Sequence, residues 1–362
     1  MVNFDISKEW VILIPPDATH VKKAAEDLSR YIGLLACLNG NHSPKQPLIM
    51  DASGPAPSGA VIVLNSENHG PERNGFSWRA GAERVEIQGE SGRGLCNGIY
   101  SFLAALGISW PAPGKENLPS CELNSLQTQT RVFQLTIDSA HEPSFHAGNN
   151  PAAAPLRRFL PAGKMINSIL KKSEAFTAWA ARKRYDAIVL PLTVFAVRRS
   201  GSKLKQLKTL AGEYGIVLEA GGRDLSSMVP RKYFFFHKDF FRMEEGKRTK
   251  EHHFCPTNPG AIGIIGKDGR KLLQAAGDIK IFHLWPDKGE ETTWCACPTC
   301  RAFSPPEQNR IAVNAAADVL SDLNPGAYIS YYEKPDENVK IPMRKNLFKM
   351  ERLPDEKECF DR

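Results

Sequence analysis

The sequence predicts an α/β fold in two parts. A small N-terminal α/β layer covers residues 1–125, and a TIM-type parallel β/α barrel covers 130–362, incomplete in that about five strands can be read. Three observations carry this. Short apolar runs alternate with stripes of helical period along most of the chain. The stretch 113–129 holds Pro, Gly, Ser and Asn with no apolar period and reads as a linker. The long connections at 138–168, 221–260 and 286–303 all follow strands, and in a β/α barrel that is the face that carries sites.

In the first part, a strand at 10–14 precedes a helix with Val21, Ala25, Leu28, Ile32 and Leu35 on one face. Extended runs follow at 48–50, 60–64 and 84–88. A second helix carries Leu95, Ile99, Phe102, Leu103 and Leu106, and Gly107 is placed to end it. The turn from Gly89 to Gly94 is glycine-rich, but no Lys-Ser/Thr follows and no acidic partner closes a dinucleotide fingerprint. Its glycines suit a tight turn and close helix packing.

In the second part, strands are expected at 132–137, 187–190, 216–219, 279–285 and 327–331, with 347–350 as a short sixth. Leu204, Leu207, Leu210, Ala211 and Tyr214 form a helical stripe closed by Gly215. Ser304-Pro305-Pro306-Glu307 is a capping box with proline at the first helical position, and it opens a helix that Asn324-Pro325 ends.

A net charge of +7 on 362 residues with 42% hydrophobic and 24% charged content is that of a globular chain. The basic residues are scattered, so neither nucleic acid nor membrane is an expected partner. No run of about 18 apolar residues occurs. The first residues lack both a basic start and an apolar core, so no signal peptide is expected. The expected location is cytoplasmic, or outside the cell if a leader has been removed. Oligomeric state is not readable.

A family resemblance rests on ordered motifs. Residues 87–94, 98–103 and 106–110 (Ile-Gln-Gly-Glu-Ser-Gly-Arg-Gly, Gly-Ile-Tyr-Ser-Phe-Leu and Leu-Gly-Ile-Ser-Trp) resemble the N-terminal domain of family 20 hexosaminidases and family 67 α-glucuronidases. The second part is similar to the domain-of-unknown-function 4838 group linked to glycoside hydrolase family 163. The matching stretches are 233–241, 246–248, 255–259, Asp287 with 295–301, and the tail 352–359. The resemblance implies a barrel glycosidase acting on N-acetylhexosamine-containing glycans. Its substrate's own 2-acetamido oxygen would attack the anomeric carbon, while one carboxylate orients the acetamido group and another protonates the leaving oxygen. Where that family shows histidine after a double glycine, this chain has Arg223-Asp224 after Gly221-Gly222.

Asp287 follows an apolar strand and a tryptophan, the position a glycosidase gives its acid, and Glu290 and Glu291 are close enough to share acid and orienting roles. Trp285 and Trp294 are candidates to stack on sugar faces. Asp138 and His141 are expected on the rim after the first strand, and Arg223 and Asp224 as a charge pair at the pocket wall after the third. Cys295, Cys297 and Cys300 form C-x-C-x-x-C, with Cys255 as a fourth ligand 40 positions upstream. That set suits a structural zinc or, equally, free thiols in a loop. His252-His253 read either as further metal ligands or as solvent-facing residues. Beside the glycosidase stand two alternatives: a non-catalytic glycan-binding or scaffolding protein on a partial barrel, and a metal-dependent hydrolase.

Overall fold

The computed structural model describes residues 3–4, 6, 8–16, 21–38, 46–54, 57–67, 74–119, 135–136, 139–142, 156–287, 294–333, 339–350, 353–357 and 359. In chain order the first elements are β1 (Asn3–Phe4), β2 (Trp10–Ile14), α1 (Lys22–Leu38), β3 (Leu48–Asp51), β4 (Ala60–Ser66), β5 (Phe76–Ala80), β6 (Arg84–Gly89), α2 (Gly92–Ala105), β7 (Ser109–Ala112), β8 (Lys115–Asn117), β9 (Leu135–Thr136) and β10 (Ser139–Glu142). A six-stranded sheet in the order β10-β5-β6-β4-β2-β3 is parallel across β3, β2, β4 and β6 and antiparallel at the β5 and β10 edge. The glycine turn between β6 and α2 is a packing device. A Cβ on Gly89 would lie 2.1 Å from Leu95 N, and one on Gly94 2.2 Å from Gly75 O, so helix and sheet meet at a distance only hydrogen atoms permit.

Two expectations change here. Part of the linker is ordered: β8 pairs with β7, and its Glu116 accepts from Arg30 at 2.7 Å and from Tyr31 at 2.5 Å. The strand expected at 132–137 does not open the barrel. Its described residues, β9, pair antiparallel with β1, and β10 extends the N-terminal sheet.

The barrel is built from β11 (Arg158–Pro161), α3 (Ile166–Lys171), α4 (Ser173–Arg182), β12 (Ala187–Leu190), α5 (Leu192–Ala196), α6 (Gly201–Glu213), β13 (Val217–Gly222), a hairpin of β14 (Met243–Glu244) and β15 (Lys247–Arg248), α7 (Pro259–Ile264), α8 (Arg270–Ala275), β16 (Ile281–Leu284), α9 (Pro305–Leu323), β17 (Tyr328–Tyr332), β18 (Leu347–Met350) and β19 (Glu356–Lys357). Seven strands run in the order β18-β17-β16-β13-β12-β11-β19, every pair parallel. The expected capping box at Ser304 and Glu307 opens α9.

This sheet curls. Met350 and Glu356 stand on opposite edges yet six positions apart, a reach of about 21 Å, whereas seven flat strands would span about 29 Å. Side chains from both edges therefore meet inside: Leu160, Val189, Trp285, Tyr332, Met350 and Leu353 form one cluster. The result is a partial TIM-type barrel, with β18 and β19 not hydrogen-bonded to each other among the described residues.

The two sheets share a continuous core that runs from Phe4 and Trp10 through Phe102 to Phe159 and Trp179. Buried Asp186, just before β12, joins them: it accepts from Asn74 at 2.7 Å and Asn97 at 3.1 Å on one side and from Arg157 N–H at 2.8 Å on the other. Arg182 adds a two-pronged bond to Asp27 of α1 at 2.8 and 3.0 Å. Among the described residues no helix is long and apolar enough to cross a membrane.

Candidate functional site

The barrel interior carries a buried polar chain. Arg158 holds Glu219 with two bonds of 2.7 and 3.2 Å. His283 Nε2 lies 2.8 Å from Glu219, His283 Nδ1 lies 2.5 Å from Ser330 Oγ, and Trp285 Nε1–H donates to Ser330 Oγ at 2.9 Å. Burial works against the Glu219 charge, but Arg158 and His283 outweigh it and hold the carboxyl down at about 2. Burial lowers His283, and the Glu219 charge and hydrogen bond oppose this. With a neutral imidazole one assignment satisfies every group: Trp285 donates to Ser330, Ser330 to His283 Nδ1, and His283 Nε2–H to Glu219. Serine, histidine and carboxylate here resemble a hydrolytic triad, but His283 and Ser330 are fully buried, and their hydrogen bonds are used up inside the barrel. The chain fixes the strands that carry the rim.

The C-terminal ends of β13 and β16 stay paired, Gly221 opposite His283 and Gly222 opposite Leu284. Gly221 has φ +114°, and a Cβ there would lie 2.0 Å from His283 O, so only glycine fits. Beyond it, Trp285 N–H donates to Gly222 O at 2.8 Å, which carries the pairing out to the rim and delivers Asp287 above it. The Asp287 carboxylate accepts from Ser226 Oγ at 3.0 Å and lies 3.6 Å from His252 Nδ1. Its N–H donates to His253 Nε2 at 3.2 Å. Burial lowers His253 to about 4, in keeping with a neutral ring that accepts at Nε2. His253 stacks on Trp294 at 4.1 Å between centroids. The half-buried Asp224 carboxylate accepts from Leu192 N–H at 2.8 Å. Burial raises its pKa, the Leu192 bond opposes this, and the charge of Asp287 adds to the rise. Two carboxylates from two strand ends thus stand near enough for the charge of one to act on the other.

The structure brings together Asp287 and Asp224 and separates several other candidates from them. His141 lies in β10, opposite Ser77 on the edge of the N-terminal sheet, and not on the barrel rim. Asp138, Glu290 and Glu291 lie outside the described residues. Arg223 and Asp224 do not pair as expected, because Arg223 donates to Pro286 O at 2.9 Å while Asp224 turns to Leu192. Trp285 is fully buried and Trp294 nearly so, so neither offers a free face. The open aromatic rings in the connection after β13 belong to Phe235 and Phe236, at 79% and 86% exposure. His253 is fully buried rather than solvent-facing. Ser226 escapes sequence reading, as does the meeting of His252 and His253 with Asp287, because these contacts join residues 34 to 61 positions apart.

Behind this rim the four candidate cysteines converge. Cys255, Cys295, Cys297 and Cys300 are all buried, and their sulfurs lie within 4.8 Å of one another. Gln308 of α9 braces them: its amide donates to Cys295 O, Cys300 O and Phe303 O at 3.1 to 3.2 Å and accepts from Cys295 N–H at 3.0 Å. A mainly apolar cavity of about 480 Å³ lies at the opposite end of the strands, lined by Leu156, Ile216, Val217, Ile279 and Tyr328 among others. It is remote from the carboxylates.

No family model and no curated protein matches the sequence. Solved structures do match in fold. A family 20 exo-β-N-acetylglucosaminidase from Vibrio harveyi aligns with a TM-score of 0.50 at 12% identity, over 96% of this chain and 54% of that one. The chitobiase of Flavobacterium johnsoniae aligns with a TM-score of 0.52 at 12% identity, over 91% and 50%. A β-N-acetylhexosaminidase from Bacteroides fragilis gives 0.51 at 11% identity, over 96% and 66%. This chain spans about half the length of the first two. At such identities the likeness shows the fold: an N-terminal α/β layer followed by a TIM-type barrel, as in family 20 hexosaminidases.

Proposed function

We propose that this protein is a glycoside hydrolase acting on N-acetylhexosamine-containing glycans, with Asp287 and Asp224 as its working carboxylates. The observation that supports this most is the pairing of two carboxylates from neighbouring strand ends, on the barrel face where such enzymes place their chemistry. In the proposed step the acetamido oxygen of the substrate attacks C1 and the glycosidic C–O bond breaks towards the leaving oxygen. Asp224, whose surroundings favour the protonated form, supplies the proton. Asp287, fixed by Ser226 and His252, orients the acetamido group. Water then opens the cyclic intermediate and returns the proton. Such substrate assistance departs from the usual two-carboxylate scheme. The likeness to the family 163 group, carried by the motifs around Asp287 and Cys295, supports the same substrate class.

A second reading, glycan binding without turnover, is favoured by Arg223-Asp224 standing after Gly221-Gly222, where the resembled family shows histidine. A panel of aryl N-acetylhexosaminides and chitobiose-core glycans separates the two. Release of the leaving group supports the hydrolase, and saturable binding with no release supports the second reading.

A further inference from the structure

We infer that Cys255, Cys295, Cys297 and Cys300 form a structural zinc site that clamps the connection after β13 to the connection after β16. The inference does not depend on the glycosidase reading. It starts from distances. Cys255 Sγ lies 3.6 Å from Cys300 Sγ and 3.8 Å from Cys297 Sγ. Four sulfurs about 2.3 Å from a central tetrahedral ion are separated by edges of about 3.8 Å. Two edges of the sulfur cluster thus already match a zinc-sized tetrahedron, and all four sulfurs lie within 4.8 Å of one another.

The surroundings favour thiolates. Met243 N–H donates to Cys295 Sγ at 3.3 Å and Cys300 N–H to Cys297 Sγ at 3.5 Å. The Arg248 guanidinium reaches Cys295 Sγ at 3.7 Å, and Thr257 Oγ1 lies 3.0 Å from Cys300 Sγ. Donors aimed at the sulfurs, with one fixed cation beside them, are what a negatively charged four-thiolate centre needs as an outer shell. The cysteines also form a buried cluster of their own, and among the described residues Met243 is the partly buried apolar residue packed against it. A patch of core built from four thiols has little hydrocarbon to hold it, whereas a shared ion supplies the missing cohesion.

Four sulfur ligands select zinc over oxygen-loving cations and leave no open position for substrate. The role is therefore to hold shape. Cys255 lies two positions beyond His253 and Cys295 eight beyond Asp287, so the ion would fix the far ends of both segments that meet at the carboxylate.

The test uses the full 362-residue chain, purified untagged from zinc-supplemented medium. Elemental analysis should find one zinc per chain. Exchange to cobalt should produce the visible bands of a tetrahedral thiolate site. Paired C255S and C297S substitutions should abolish both signals. Absence of stoichiometric metal, iron in place of zinc, or full retention of zinc by the double variant would each overturn the proposal. If the double variant does not fold, the wild-type metal content and the cobalt spectrum decide it alone.

Discussion

The Ser226 hydroxyl donates to Asp287 Oδ1 across 3.0 Å, and this bond joins the connection after β13 to the connection after β16 at the carboxylate itself. It leaves the second carboxylate oxygen facing His252. A carboxylate held by Ser226 on one oxygen and faced by His252 on the other is suited to orienting a ligand, because its rotamer is set before anything binds.

Ser226→Ala should therefore lower turnover by about tenfold, since a hydrogen bond to a charged group is worth roughly 1.5–3 kcal/mol and only part of it is specific to the transition state. Ser226 is only partly buried, so the unfolding temperature should stay within a few degrees of wild type. Steady-state kinetics beside a thermal melt check this.

The Glu219 network makes stability depend on pH. Its carboxyl is lowered from 4.5 to about 2 in the fold, so the unfolded chain binds the proton more readily. The stabilisation is present above about pH 4.5 and is lost as pH falls towards 2, and amounts to about 3 kcal/mol. His283 is also lowered, from 6.5, so its contribution begins to fade at higher pH, below about 6.5. Glu219→Gln should cost about 3–5 kcal/mol at pH 7 by leaving Arg158 buried and unpaired. Melts of both proteins across pH 3–7 should show the gap narrowing as the pH falls.

Gly221 and Gly212 offer a matched pair. Gly221→Ala drives a Cβ to 2.0 Å from His283 O at φ +114°, and should cost several kcal/mol or prevent folding. Gly212→Ala, within α6 and with nothing within 4 Å of the new atom, should gain about 0.5–1 kcal/mol. Urea unfolding of the two variants provides the comparison.

Gln308→Ala removes the amide that bridges Cys295, Cys300 and Phe303. A loss of about 2–4 kcal/mol is expected, because buried backbone groups are left without partners. Protection of the Cys295 amide in hydrogen exchange should fall with it.

Much of the frame is legible in the sequence, for a physical reason. The strands at 187–190 and 347–350 and the helix from Ser304 are set by local apolar runs and by a capping box, which need no distant partner. The run 132–137 has the stronger β pattern and so reads as the first barrel strand, whereas Arg158–Pro161 begins with a charge whose partner, Glu219, lies 61 positions away. For the same reason Glu219, His283 and Ser330 could not be told from surface residues. At the site, Asp287 and the cysteine spacing stand out in the sequence, but Ser226 and His253 join them only through the fold. The position of Trp285 at a strand end suggests a face for substrate, yet the curl of the sheet turns it inward among Leu160 and Val189.

The most direct test of the proposed chemistry is Asp287→Asn assayed on an N-acetylglucosaminide with a chromogenic leaving group. The substitution keeps the shape of the side chain and removes its charge. The account predicts that leaving-group release falls by about a thousandfold or more while the circular dichroism spectrum and unfolding temperature stay at wild-type values. Unchanged turnover in a folded Asp287→Asn protein would contradict it.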